Sequence, residues 1–79
     1  MAAADADEAL DLSGVPCPAN SARALIALEG MADGRVLLVT VDDGEPVRNV
    51  PPSLAEEGHA VVRREKAGGR WRLWVRKGG

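Results

Sequence analysis

Cysteine is almost absent from this 79-residue chain: Cys17 stands alone. One thiol cannot close a disulfide within the chain, and with a single histidine it leaves any metal site short of soft ligands. That usage suits a reducing compartment, the cytoplasm, and no metal or cofactor is expected. Aromatic residues are as scarce, with two tryptophans and neither tyrosine nor phenylalanine. The longest purely apolar runs are about five residues, against the roughly 18–20 that a membrane-spanning helix needs, so no membrane segment is expected. The start, Met1-Ala2-Ala3-Ala4-Asp5-Ala6-Asp7-Glu8, is acidic and lacks a basic region ahead of an apolar run, unlike a secretory signal. No Cys-x-x-Cys pair is present, which excludes a self-contained dithiol catalyst. Gly68-Gly69 lacks the following lysine and helix of a phosphate loop.

What is there is unevenly charged. The net charge is −2, yet residues 1–59 carry 3 basic and 11 acidic side chains (−8), while residues 60–79 carry 7 basic and 1 acidic (+6). Such asymmetry can steer an acidic protein or a nucleic acid, and it also describes a solvated strand face kept soluble by alternating arginines.

Ala9-Leu10-Asp11-Leu12 alternates as a short strand with Leu10 and Leu12 inward. Pro18 to about Glu29 reads as a helix with Ala22, Leu25, Ile26, Leu28 and Ala32 on its apolar face. Arg35 to Val41 is apolar on both faces and belongs in the middle of a sheet. Strand, helix and strand in that order favour parallel pairing. Asp42-Asp43-Gly44 opens a second helical segment at Glu45-Pro46, and the two aspartates read as its caps. Pro51 and Pro52 interrupt it, Ser53 can cap a new turn, and Gly58 ends it, predicting a short, kinked or two-piece helix. Ala60–Lys66 and Arg70–Lys77 form a hairpin, with Trp71, Leu73 and Val75 alternating against Arg72, Trp74 and Arg76. The expected fold is an α/β two-layer sandwich, β-α-β-α-β-β, a four-stranded mixed sheet with two helices on one face. Residues 1–8 read as a flexible N-terminal tail and 9–77 as one domain.

Cys17 lies in Gly14-Val15-Pro16-Cys17-Pro18, directly ahead of the first helix. Pro18 suits a first helical position, which makes Cys17 the N-cap. The free N–H groups of a first turn, and the helix dipole, favour a thiolate. About 0.3–1 kcal/mol at an exposed terminus, rising to about 2 when partly buried, lowers a thiol pKa by about 0.2–1.5 units. The plainer reading of a lone cysteine is a small buried apolar residue, and both stand at this point. His59 reads as structural or surface, because sequence alone does not pair it with the thiol.

Leu10-Asp11-Leu12-Ser13-Gly14, two residues, then Cys17-Pro18 resembles the opening of the TusA/SirA-type sulfur-carrier family. Asp42-Asp43, Val47-Arg48-Asn49-Val50-Pro51, His59 and the basic final strand fall where that family has similar residues, so the resemblance covers roughly residues 9–77. It implies a carrier that takes sulfur as a persulfide on Cys17 from a cysteine-desulfurase or rhodanese-like donor and passes it to an acceptor protein, in tRNA thiolation, cofactor maturation or sulfur metabolism. Such a protein is a sulfurtransferase-like carrier rather than a self-sufficient turnover enzyme. The family signature is Cys-Pro-x-Pro, whereas this chain has Cys17-Pro18-Ala19-Asn20. Pro18 and Asn20 are the helix-start residues beside the sulfur. The Asn20 amide can donate to the sulfur or back to the cap, or be an ordinary first-turn polar residue. The absence of a second cysteine fits carriage, since a resolving thiol would expel the outer sulfur. Two further readings compete: a non-catalytic regulatory or binding module of the same fold, and, third, RNA contact through Arg72, Trp74 and Arg76 with Arg64 alongside.

Overall fold

The computed structural model of the chain describes residues 6–16 and 18–78. The elements run β1 (Glu8–Asp11), α1 (Ala19–Glu29), β2 (Val36–Asp42), α2 (Glu45–Glu56), β3 (Ala60–Ala67) and β4 (Arg70–Arg76). The sheet order is β1-β2-β4-β3, with β1 and β2 parallel and the other two pairs antiparallel. This is the expected β-α-β-α-β-β mixed sheet. The smallest dimension is 17 Å, the depth of one helix layer on one sheet.

β2 is interior because its sequence allows no solvent-facing side. Leu37, Val39 and Val41 join the core with Leu73 and Val75 of β4, while Leu38 points the other way and is still only 6% exposed. Trp71 packs against the core from β4, as its alternation with Arg72 and Trp74 predicts. The first strand starts earlier than expected. Asp7 donates its N–H to the Val36 carbonyl at 2.8 Å, its carboxylate accepts the Val36 N–H at 2.9 Å, and it pairs with Arg35. Asp7 and Glu8 are thus tied to the sheet rather than part of a tail. Residues 1–5 of that expected tail lie outside the described residues.

The inward face of α1 differs from the expected one. Asn20, Ser21, Ala24 and Leu28 are buried, followed by Met31, whereas Ala22, Ile26 and Ala32 are exposed, Ile26 by 69%. At 100° per residue, Ile26 sits more than half a turn from Ala24. The stripe is led by two polar residues, which is why an apolar count missed its phase.

α2 is one helix of 12 residues with Pro51 and Pro52 inside it, not two pieces. Val47, Val50 and Leu54 are its buried side, and burying that stripe holds the helix together where two backbone donors are missing. Ser53 does not cap a new turn; its hydroxyl donates to the Asn49 carbonyl one turn back at 3.1 Å. The end is as expected. Gly58 takes φ +90°, its N–H reaches the Ala55 carbonyl, and the His59 N–H reaches the Leu54 carbonyl. That pair of bonds is a Schellman stop.

Candidate functional site

The turn ahead of α1 is built by two aspartates. The Asp11 carboxylate accepts from the Ser13 hydroxyl at 2.6 Å and the Ser13 N–H at 2.9 Å. These bonds, with Arg70 nearby, hold its carboxyl below the usual aspartate range. Gly14 adopts φ +75° and donates its N–H to Asp42 Oδ2 at 2.7 Å, so the end of β2 grips the loop that leads to Cys17. The Leu12 N–H bonds the Thr40 carbonyl and the Val15 N–H bonds the Leu12 carbonyl, completing a turn fixed at each end.

Cys17 itself lies outside the described residues. On its far side the chain enters α1 at once. The Asn20 N–H donates to the Pro16 carbonyl and the Ala22 N–H to the Pro18 carbonyl, both at 3.1 Å. The helix N-cap is Pro18, with Ala19 the first helical residue, one position later than expected. Pro18 has φ −93° and ψ 8°, short of a full helical turn, and helix boundaries shift by a residue in this way. The N-cap residue makes no side-chain hydrogen bond to α1, and no acidic residue stands in its first turn. The positive end of the dipole is therefore not neutralised from within the helix.

Asn20 is the unusual residue here. It is fully buried, its Oδ1 accepts the Ser21 N–H at 2.6 Å, and its Nδ2 has no hydrogen-bond partner among the described residues. Ser21 returns its hydroxyl to the Pro18 carbonyl at 3.1 Å. A buried amide donor left without an acceptor costs about 1–3 kcal/mol.

The Asp42-Asp43 pair corrects the capping expectation. The N-cap of α2 is Gly44, and no side chain caps that helix. Asp42 instead holds Gly14 and faces Arg70 at 3.8 Å. Asp43 accepts from the Trp71 indole N–H at 2.8 Å, which with the Gly44 N–H and the Lys66 ammonium keeps its carboxyl below the usual range.

His59 does not reach toward the turn: its Nδ1 accepts the Gly78 N–H at 3.1 Å, fastening the chain end to the start of β3. It lines a groove of about 680 Å³ between α2 and β3, together with Arg48, Pro51, Val61, Arg64 and Trp71. Arg64 thus lies on the helix side, with Leu73 its register partner, whereas Arg72, Trp74 and Arg76 face the other way. The surface expected from all four residues is divided by the sheet. The cause is a bulge between Val61 and Arg63, which shifts the alternation of β3 by one. Arg63, not Arg64, lies over the Trp74 ring, 4.7 Å from its centroid. A bulge leaves no clear mark in a Val-Val-Arg-Arg run, so the exchange is not legible along the chain.

A family model described as sulfurtransferase TusA matches residues 8–77. The chain belongs to the TusA family. Among curated TusA-like proteins, a putative sulfur carrier protein of Archaeoglobus fulgidus is 38% identical over 74 residues, spanning 92% of this chain and 84% of that one. The sulfur carrier protein TusA of Allochromatium vinosum is 31% identical over 74 residues, spanning 94% and 97% respectively. Among the described residues of this TusA-family chain, no cluster of three or more His, Asp and Glu side chains could hold a metal ion. No helix among them is long and apolar enough to cross a membrane.

Proposed function

We propose that this protein carries sulfur as a persulfide on Cys17, receiving it from a cysteine-desulfurase or rhodanese-like donor and delivering it to an acceptor protein. The observation that carries the reading is the turn itself. A loop pinned through Gly14 to Asp42 delivers the chain into a helix whose first turn holds no acid and whose N-cap residue makes no side-chain hydrogen bond. The A. fulgidus and A. vinosum relatives, both named sulfur carriers, support the same class.

The chemistry balances with few parts. The Cys17 thiolate attacks the outer sulfur of a donor persulfide, the S–S bond of the donor breaks, and the donor leaves as its own thiolate. Cys17 then holds S–S⁻, and attack by an acceptor thiolate on the outer sulfur returns it to the thiolate. No net oxidation occurs on this chain. Depressing the Cys17 pKa raises the attacking fraction and makes Cys17 a better leaving group in delivery. We assign Asn20 Nδ2 as a donor to the sulfur. It stands three residues after Cys17 in the sequence, is buried and lacks another acceptor among the described residues. It thus supplies a polar contact where the family signature has proline.

The test is transfer of radiolabelled cysteine sulfur through a desulfurase. Label should attach to the wild-type chain, be released by a reducing thiol, and be absent from Cys17→Ser. Label that stays on Cys17→Ser, or never attaches with several donors, refutes the reading and leaves the non-catalytic module.

A further inference from the structure

The sheet has one face with no helix on it. By register that face carries Arg72, Trp74 and Arg76 of β4, flanked by Leu38 and Thr40 of β2 and by Arg63 and Glu65 of β3. Two donors there are buried and have no hydrogen-bond partner: Trp74 Nε1 and Arg72 Nε. Trp74 is only 6% exposed, closed in by its neighbours, with the Arg63 guanidinium over its ring. Alternate residues of one strand stand roughly 7 Å apart on the same side, so the two donors are adjacent. The other tryptophan of β4 gives the contrast. Trp71, on the helix side, gives its indole N–H to Asp43 at 2.8 Å. Of the two indole N–H groups, the one on the uncovered face is buried and unmet.

Charge on the same face points to what would meet it. Of the seven basic residues after position 59, Arg63 pairs with Glu65, Lys66 with Asp43, Arg70 with Asp42 and Lys77 with Asp33. The other three, Arg64 on the helix side and Arg72 and Arg76 on the uncovered face, make no ion pair among the described residues. The sheltered Trp74 donor beside the unpaired Arg72 and Arg76 guanidinium groups, with Leu38 at the centre, forms a patch of the Trp/Arg type that anchors protein interfaces.

We propose that this face docks an acidic segment of a partner protein: its carboxylates pair with the Arg72 and Arg76 guanidinium groups, and the covering side chains shift on docking so that carboxylate oxygens reach Trp74 Nε1 and Arg72 Nε. RNA is disfavoured by the same geometry. Stacking on a base needs an open ring face, and the Arg63 guanidinium already lies over that of Trp74. Three strands of seven or eight residues and a shorter fourth give a face of at most roughly 20 Å by 25 Å, a small interface suited to a transient contact. It lies opposite both helices, so a partner held there leaves the helix side uncovered. This docking goes beyond sulfur carriage and does not depend on it.

The test uses the full chain, labelled with nitrogen-15, titrated with a blocked octaglutamate peptide and separately with octauridylate. The Trp74 indole N–H resonance should move downfield with the peptide while that of Trp71 stays. Trp74→Phe keeps the ring, and Arg72→Lys keeps the charge; each should weaken the peptide about fivefold to tenfold. Arg64→Gln, on the helix side, and Cys17→Ser should leave binding unchanged, which separates this proposal from the sulfur reading. The wild-type resonance needs no variant, so a misfolded substitution does not blunt the test. A still Trp74 resonance overturns the proposal, as does an equal loss in Arg64→Gln, which would mean diffuse charge. Tighter binding of octauridylate at the Trp74 resonance would assign the face to RNA. Self-association by light scattering that removes the peptide response would assign it to a second copy.

Discussion

Replacing Asn20 with leucine tests the contact assigned to the sulfur. Leucine keeps the branching and heavy-atom count of asparagine at a position that is fully buried, but it deletes the Nδ2 donor and the Oδ1 that accepts the Ser21 N–H. If Nδ2 donates to the sulfur anion, its loss removes a hydrogen bond to a charged group worth about 1.5–3 kcal/mol. At 1.36 kcal/mol per unit, the Cys17 pKa should rise by about 1–2 units. The assay is the rate of iodoacetamide alkylation against pH. Its inflection should move up by that amount, with the rate at neutral pH falling about tenfold to a hundredfold. Stability should move with it. Losing the Ser21 acceptor costs about 0.5–2 kcal/mol, and the lost bond to the sulfur adds to that cost. The thermal midpoint should therefore fall together with the reactivity. An unchanged alkylation profile with a higher midpoint would refute the assignment and make Asn20 a frustrated core residue. Asn20→Pro, which restores the family signature, is a poorer probe because it also deletes the N–H bonded to the Pro16 carbonyl.

Three further outcomes follow from the packing and electrostatics. Leu28→Ala empties a fully buried position in the stripe where α1 meets the sheet, and should cost about 2–5 kcal/mol in urea unfolding, much of the stability of a domain this small. Pro52→Ala restores a backbone donor inside α2 at an exposed position; it should raise the thermal midpoint by an amount equivalent to about 1–3 kcal/mol, and a fall would mean the helix path needs the ring. Asp43 has a folded pKa depressed by the Trp71 and Gly44 donors. Its contribution is full above the ordinary aspartate value and disappears as pH falls through the folded value. Asp43→Asn should accordingly destabilise at neutral pH, with the gap to wild type closing in strong acid, as read by melts across that range.

The architecture was legible because each strand states its surroundings. Val36–Val41 is apolar on both faces and sits between two strands; Trp71, Leu73 and Val75 alternate with polar neighbours and face the helices. What the sequence hid was decided by packing. Asn20 and Ser21 lead the buried stripe of α1, so a count of apolar residues misplaced Ala22 and Ile26. Pro51 and Pro52 break local helical bonding, yet burial of Val47, Val50 and Leu54 carries α2 across them. Asp42 and Asp43 look like caps along the chain, but long-range partners, Gly14 and Trp71, claim their oxygens. One bulge in β3 exchanged Arg63 for Arg64 beside Trp74. The Cys17 motif was visible at once, while the turn that presents it depends on a bond spanning 28 positions, from Gly14 to Asp42.

The central claim is that Cys17 accepts and holds a sulfur atom, and intact mass spectrometry tests it most directly. After incubation with a cysteine desulfurase and cysteine, the chain should gain the mass of one sulfur, the peptide containing Cys17 should hold it, and a reducing thiol should remove it. A chain that stays at its unmodified mass with every desulfurase and rhodanese-like donor supplied, or one that gains sulfur away from Cys17, would contradict the account.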